Sequence, residues 1–443
     1  MSAQSNELLG SNSLHLIEVE LDRLCLPERE LRNHSSAQIE KIARSIEQFG
    51  WVSPILVTAD HEVIAGVARV SAARKLGHVT APALRVDHLT PEQVRFYRIA
   101  DNRLAEEAEW NREALRLEIS DLLELDIDIE LTGFETGEID VLLDLDDEKG
   151  DDEGDTEDVS SPISEVGDIW RIGNHRLICG DSLAPETWAK LGSIEANAAF
   201  VDAPYNVKID KHVCGLGKVK HREFVQASGE MTAEEFAQFL ATAHQRLHEA
   251  LKPGGVLFSC MDWRSIDSLI EAGEHAGFEL INMVVWDKTT GGMGSLYRSQ
   301  HELICVFRNA GASHRNNVQL GKHGRNRTNV WTYAGMNTGG KQRDELLSVH
   351  PTVKPVELVI DAIKDVTAHG ETVLDCFGGS GTTMVAAEKA GRKSVLLELD
   401  PVYVDTIIER MASVFGLAAT LEGSGETYAD LKAERELSAG GDA

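Results

Sequence analysis

Cysteines are few and stand apart: Cys25, Cys179, Cys214, Cys260, Cys305 and Cys376, with no Cys-x-x-Cys pair and no histidine-rich partner at metal spacing. That pattern argues against a structural metal centre and a disulfide framework, and leaves reduced thiols that pack as small apolar groups. Long hydrophobic runs are also missing. No stretch approaches the roughly eighteen apolar residues of a membrane-spanning helix, and Met1 to Gly10 lacks the basic start and apolar run of a secretory leader. The expectation is a soluble, cytoplasmic protein. Positive charge is scarce as well: the formal net charge is -30. Taken as an average, that opposes binding to a polyanion.

The average misleads, because the charge is unevenly placed. From Asp101 to Asp168 there are 26 acidic against 4 basic residues, whereas Lys288 to Lys354 holds 10 basic against 3 acidic. The second stretch suits a phosphate backbone. Within the first, the run Asp146-Asp147-Glu148-Lys149-Gly150-Asp151-Asp152-Glu153-Gly154-Asp155 repels itself and has nothing apolar to bury, so it reads as an extended linker.

On either side of this run the hydrophobic pattern differs. Ile39, Ile42 and Ile46 recur at helical spacing up to Gly50, ahead of the strand-like run Ile55-Leu56-Val57. After the linker, short apolar runs alternate with amphipathic helices: Ala198 to Val201, Val256 to Phe258, Leu303 to Val306, Thr372 to Leu374 and Ser394 to Leu397. Such alternation predicts an α/β fold, a mostly parallel sheet covered by helices. The expected division is a disordered start at 1–13, a small α+β domain at 14–107, an acidic helical extension at 108–143, the linker at 144–165, the large α/β domain at 166–420 and a flexible tail at 421–443. A fragment beginning near Ser160 is expected to fold alone.

Two motifs carry chemistry. Asp375-Cys376-Phe377-Gly378-Gly379-Ser380-Gly381-Thr382 runs from a strand into a helix, where glycines let backbone amides approach a ligand and the helix N-terminus favours a polar or anionic group. Glu398 ends the following strand, a place from which a carboxylate can accept both hydroxyls of a ribose. The second motif, Asp202-Ala203-Pro204-Tyr205-Asn206, ends another strand. An exocyclic amine is a poor nucleophile because its lone pair is delocalised into the ring. The Asp202 carboxylate and a backbone carbonyl, that of Pro204, can hold such an amine in a nucleophilic geometry, while Tyr205 offers a face for stacking a base drawn out of the duplex.

These residues in this order resemble the β class of SAM-dependent amino-methyltransferases of DNA, with the catalytic motif preceding the SAM-binding motif. Gly180-Asp181 upstream of the catalytic strand, Tyr297-Arg298-Ser299-Gln300-His301-Glu302, Asn329-Val330-Trp331 and His350-Pro351-Thr352-Val353-Lys354-Pro355 are similar to further family segments. The resemblance covers about Gly167 to Gly416. It departs at Ala203 and Cys376, where prolines are usual. It implies a permuted Rossmann-like sheet and S-adenosyl-L-methionine (SAM) as methyl donor. The catalytic residues would be Asp202, Pro204 and Tyr205. Asp181, Asp375, Phe377, Gly378, Gly379, Ser380, Gly381, Thr382, Glu398 and Lys354 would be at the cofactor, with no metal.

The first half resembles ParB-like domains through Ser45-Ile46-Glu47-Gln48-Phe49-Gly50, Pro54-Ile55-Leu56-Val57, Ala65-Gly66-Val67-Ala68-Arg69 and Ala100-Asp101-Asn102-Arg103-Leu104. That resemblance makes Gly66 and Arg69 candidates for a nucleotide phosphate. Double-stranded DNA is the expected partner, read by a target-recognition region at about 288–349 in which Arg298, Arg325 and Arg327 would meet phosphate; His301 and His350 either contact phosphate or pack, and a homodimer is a further expectation. The leading reading is methylation of adenine N6 in DNA. Cytosine N4, an RNA or protein amine, and a ParB-like DNA-binding or nucleotide-switched factor with a secondary methyltransferase half stay open as alternatives.

Overall fold

The computed structural model describes residues 15–143 apart from 105, 109, 124, 126 and 127, and then 162–206, 229–291, 296–322, 326–335 and 354–440. The chain divides into two units between Glu135 and Thr136.

The first unit contains β1 (His15–Glu20), α1 (Ser36–Phe49), β2 (Ile55–Val57), β3 (Val63–Ala65), α2 (Val67–Lys75), β4 (Thr80–Arg85), α3 (Pro91–Leu104) and α4 (Arg112–Leu123). Its sheet has the order β1-β4-β2-β3, with β4 antiparallel to β1 and parallel to β2. The helix expected from the isoleucine spacing is α1: Ser35 caps it by accepting from the Gln38 amide, and Gly50 ends it. Val19, Ile55, Val57, Val63 and Val70 form the core beneath.

The second unit begins with α5 (Thr136–Leu143) and resumes with β5 (Ile169–Ile172), β6 (His175–Cys179), α6 (Pro185–Leu191) and β7 (Ala196–Val201). Next come α7 (Ala233–Ala250), β8 (Leu251–Met261), α8 (Ile266–Ala276), β9 (Phe278–Asp287), β10 (His301–Asn309) and β11 (Val330–Thr332). The unit ends with α9 (Val356–Val366), β12 (Thr372–Asp375), α10 (Thr382–Lys389), β13 (Lys393–Glu398), α11 (Pro401–Phe415), β14 (Ala419–Leu421) and α12 (Tyr428–Gly440).

All five apolar runs expected to be strands lie in one sheet of order β11-β9-β10-β8-β7-β12-β13-β6-β5-β14. Its centre, β8-β7-β12-β13-β6, is parallel. Antiparallel pairing then extends it at both flanks, through β10 and β9 on one side and β5 and β14 on the other. From β12 the chain crosses through α10 to β13, and from β7 it crosses through α7 to β8 on the other side. The two crossovers leave the adjacent pair β7 and β12 in opposite directions along the sheet, and the carboxyl ends at such a switch point are where an open α/β sheet binds ligands. The Asp202 motif and the glycine-rich motif follow these two strands. Two apolar clusters fill the layers between sheet and helices.

Two boundaries differ from expectation. The segment after Leu421 is more than a polar tail: β14 pairs with β5, Tyr428 packs edge-on against Trp170 with ring centroids 5.6 Å apart, and Lys432 bonds Glu409 at 2.8 Å. A small number of well-spaced anchors orders a stretch whose composition looks featureless. At the other end, α5 belongs with the second unit because of a buried ion pair. Asp140, 1% exposed, accepts from both terminal nitrogens of Arg392, 2% exposed, at 2.9 and 3.1 Å, and from His369 at 2.9 Å. Burial works against the Asp140 charge, yet His369 and Arg392 outweigh it and hold the carboxyl well below its usual range. The unit therefore starts at Thr136, ahead of the acidic run 144–161, which lies outside the described residues. No helix among the described residues is long and apolar enough to cross a membrane.

Removing one partner of such a pair strands the other charge in the interior. Asp140→Ala is expected to cost about 3–5 kcal/mol of stability, read as a lower denaturation midpoint. A fragment begun at Ser160, which lacks Asp140, should show the same loss against one begun at Thr136. Equal midpoints would show that α5 is dispensable.

Candidate active site

At the carboxyl end of β7, Asp202, Tyr205 and Lys354 meet Glu302 from the start of β10. The Tyr205 hydroxyl donates to Asp202 Oδ1 at 2.9 Å and reaches Glu302 Oε2 at 3.2 Å. Lys354 Nζ lies 2.6 Å from Asp202 Oδ2, 3.1 Å from Glu302 Oε2 and 3.4 Å from the Tyr205 hydroxyl. Lys288, just past β9, bonds the other Glu302 oxygen. Two carboxylates therefore face two ammonium groups. The aromatic walls are Tyr205 and Trp286, with Lys354 Nζ 5.5 and 5.8 Å from their ring centroids.

Burial sets the protonation of this cluster. It would raise Glu302, but Lys354 and Lys288 overcome it and hold that carboxyl at about 2. It opposes the Lys354 charge too, and Asp202 and Glu302 more than compensate, raising the ammonium above its ordinary value. Asp202 is pushed up by burial against the pull of Lys354, and the Tyr205 phenol is raised well above its usual value by burial, so it remains a donor.

The loop leaving β7 is fixed locally. Ala203, where the family segment carries proline, is buried in the core beside Cys376. Asn206 takes a left-handed φ of 53°, and its side chain accepts from the Gly229 and Met231 amides and donates to the Met231 carbonyl, tying the catalytic loop to the chain ahead of α7. Nothing in a tetrapeptide motif announces that clamp.

Next to Asp202, the glycine-rich turn links β12 to α10. Gly381 starts the helix at φ 81°, and a Cβ there would lie 2.9 Å from Ile407, so only glycine fits. Asp375 faces inward: one oxygen accepts from the Phe377 amide at 3.0 Å and the other from the Thr383 hydroxyl at 2.7 Å, and burial lifts its carboxyl to about 7. It organises the turn. Phe377 packs against Phe239 of α7, and Arg410 holds the Ser380 carbonyl at 2.8 Å. Glu398 accepts from the Gly379 amide at 2.7 Å and from the Asp400 amide at 2.8 Å, with its carboxyl raised by burial to about 7. The Gly180 amide donates to the Glu398 carbonyl at 2.8 Å, which brings Asp181 to the same rim. Gly378, Gly379 and Thr382 complete the turn.

The structure thus gathers Asp202, Pro204 and Tyr205 with the turn and with Glu398 and Asp181. Lys354, expected at the cofactor, lies against Asp202. Arg327 requires a correction: it points inward, with its charge on Asp361 and Asp365, a bond to the Tyr333 hydroxyl and its guanidinium 4.5 Å from the centre of the Trp331 ring. Arg308 and Arg315 are likewise paired, with Glu279 and Glu371. Among the described residues, four of the cations counted in that stretch, Arg308, Arg315, Arg327 and Lys354, are thus held by acidic residues from outside it. Arg298 is exposed, with a bond to the Gly291 carbonyl, and His301 is exposed at the start of β10. Arg325 and His350 lie outside the described residues. Glu302 and Lys288 carry no role in the sequence reading; Glu302 closes the Tyr297 to Glu302 segment that resembles the family, and Lys288 shows only as charge at the end of an apolar strand.

In the first unit, Gly66 opens α2 at φ 103°, and a Cβ would meet Ile55 at 2.8 Å. Arg69 is turned onto the loop before β2, donating to the Ser53 and Pro54 carbonyls at 2.7 and 2.8 Å. Both residues line a cavity of about 190 Å³ together with Arg32, His34 and Arg98.

Comparison with known proteins finds three family matches along the chain. A DNA methylase family profile for N6 and N4 enzymes matches residues 196–409, a ParB N-terminal domain profile matches 4–102, and a ParB-methyltransferase helix-turn-helix profile matches 113–166. The last covers the segment read from sequence as an acidic extension and linker. The Type II methyltransferase M2.DpnII of Streptococcus pneumoniae is 31% identical over 171 residues, 37% of this chain and 62% of that protein. The Type II methyltransferase M2.LlaDCHI of Lactococcus lactis subsp. cremoris is 30% identical over 177 residues, 38% of this chain and 64% of that protein. The chain thus spans a little under two thirds of the length of these two relatives. Among solved structures, the putative DNA modification methylase TTHA0409 of Thermus thermophilus, complexed with S-adenosyl-L-methionine, is 22% identical, covering 55% of this chain and 95% of its own with a TM-score of 0.39. With its catalytic motif, glycine-rich turn and strand-end carboxylate on adjoining strands, the segment 196–409 belongs to the N6/N4 DNA methylase family, and the chain carries it behind a ParB-type N-terminal domain and a ParB-methyltransferase helix-turn-helix region.

Proposed function

We propose that this protein transfers a methyl group from SAM to an exocyclic amine of double-stranded DNA, adenine N6. The observation that carries the reading is Asp202 at the carboxyl end of β7, on the strand next to β12 and its glycine-rich turn, with the Tyr205 hydroxyl bonded to it. When bound, SAM supplies an electrophilic methyl group on a sulfonium. The fit to this chain is the turn itself, where a side chain at position 381 would strike Ile407, together with Glu398 at the strand end. Glu398 and Asp181 would hold it at the rim, with Phe377, Gly378, Gly379, Ser380, Gly381 and Thr382 forming the turn and Asp375 keeping that turn in shape.

Asp202 and the Pro204 carbonyl accept hydrogen bonds from the two N–H groups of the amine, so that the nitrogen lone pair is directed away from the ring; as the N–C bond forms the sulfonium S–C bond breaks, and the cationic methylated nitrogen then releases one proton to water. Tyr205 stacks on the flipped base. Most of the acceleration then comes from alignment and from negative charge placed where the amine becomes positive. No covalent enzyme intermediate is needed, in keeping with the nearby thiols: burial pushes both Cys260 and Cys376 well above the usual thiol range. Adenine is favoured over cytosine because aspartate, rather than serine, opens the catalytic motif. Arg298 and Arg325 are proposed to meet phosphate. Gly66 and Arg69 are proposed to line a nucleotide pocket in the ParB-type half, which acts as a scaffold or specificity module.

Asp202→Ala should reduce methyl transfer to DNA by at least about 10²-fold while SAM binding stays near that of the parent, because the acceptor touches the base. Turnover close to the parent's would remove Asp202 from the chemistry. A second expectation concerns pH. Burial raises Glu398 to about 7, so the ionised acceptor is lost as the pH falls through that value, and SAM affinity measured by calorimetry should weaken between about pH 8 and pH 6. Glu398→Gln should lower the affinity and diminish this dependence. A profile unaltered by the substitution would show that Glu398 does not hold the ribose.

A further inference from the structure

Both oxygens of the catalytic carboxylate are occupied before any base arrives. Asp202 Oδ1 accepts from the Tyr205 hydroxyl at 2.9 Å and Oδ2 from Lys354 at 2.6 Å. Each oxygen keeps a further lone pair, but an incoming amine has to share Asp202 with a charge-assisted bond that weakens it as an acceptor, at a part-buried site where losing a partner is expensive. Lys354 is 6% exposed at its side chain, so water cannot replace what it gives up. Both donors nevertheless have a second acceptor within reach: Glu302 Oε2 stands 3.1 Å from Lys354 Nζ and 3.2 Å from the Tyr205 hydroxyl.

We infer that Glu302 is a positioning residue that takes Lys354 and the Tyr205 hydroxyl from Asp202 when the target amine enters, freeing Asp202 to accept from the base. This deepens the methyltransferase reading above and rests on it. The transfer of partners breaks no covalent bond and moves no net charge, since Asp202 and Glu302 together balance Lys354 and Lys288. Lys288 secures the far oxygen of Glu302, which fixes the near oxygen toward Lys354 and Tyr205. Without the Glu302 charge, Asp202 would be the one carboxylate left beside Lys354, and Lys354 would be held on it.

The full chain is the material for the test, with single-turnover transfer from radiolabelled SAM to plasmid DNA, DNA KM, and SAM affinity measured in parallel. Glu302→Gln should lower the rate of transfer by roughly 10²-fold with SAM affinity and DNA KM little changed. Adding Lys354→Met to that variant restores charge balance and uncovers Asp202, so it should recover transfer by about tenfold over Glu302→Gln. A purely structural role predicts the opposite, further loss with the second substitution. If Glu302→Gln does not retain SAM binding, Glu302→Asp, which keeps the charge and shortens the reach, is compared with and without Lys354→Met for the same loss and recovery. Near-parent transfer in Glu302→Gln, or a double variant slower than the single one, would overturn the inference. Absence of any transfer to DNA by the parent protein would instead remove the methyltransferase reading on which it rests.

Discussion

The arrangement depends on a half-buried, balanced set of charges at one end of the large sheet, with Lys354 buried at its centre. Taking ions out of water costs several kcal/mol each, and the cost is recovered only when geometry pairs every one. Asp202, Glu302, Lys354 and Lys288 meet that condition together and not in pairs. They arrive from the end of β7, the start of β10, the stretch just before α9 and the end of β9. Because β10 runs antiparallel between β8 and β9, its first residues lie at the carboxyl edge of the sheet, beside the catalytic strand's end. The antiparallel extension thus completes the site, while the parallel centre positions the cofactor turn.

A second buried-charge arrangement acts at a distance from the chemistry. Asp140 on α5 neutralises Arg392, which sits just before β13, the strand that ends in Glu398. Internal pairing also accounts for Arg308, Arg315 and Arg327, three of the ten basic residues counted between Lys288 and Lys354.

What was legible in the sequence was contiguous. Asp202 to Tyr205 and Asp375 to Thr382 declare themselves because chemistry and backbone geometry constrain neighbouring positions, and the central strands show as apolar runs between turns. What was hidden was distributed. Glu302 lies 97 residues from its partner Tyr205, and Lys354 lies 149 from it, so neither bond has a local signature. Counting charge along the chain placed Arg327 on phosphate because Asp361 and Asp365 fall in a different element. Ordered structure after Leu421 depends on single anchors such as Tyr428 and Lys432, and on the pairing of β14 with β5, none of which stands out in a small, polar composition.

The most direct measurement is the identity of the product. Plasmid DNA treated with the purified protein and isotopically labelled SAM would be digested to nucleosides and resolved by mass spectrometry. Attack by an exocyclic amine held on Asp202 predicts N6-methyladenine, with label absent from ring carbons. Label found solely as 5-methylcytosine would contradict the account, because methylation of that carbon calls for a thiolate nucleophile that the buried, protonated cysteines beside the site do not provide.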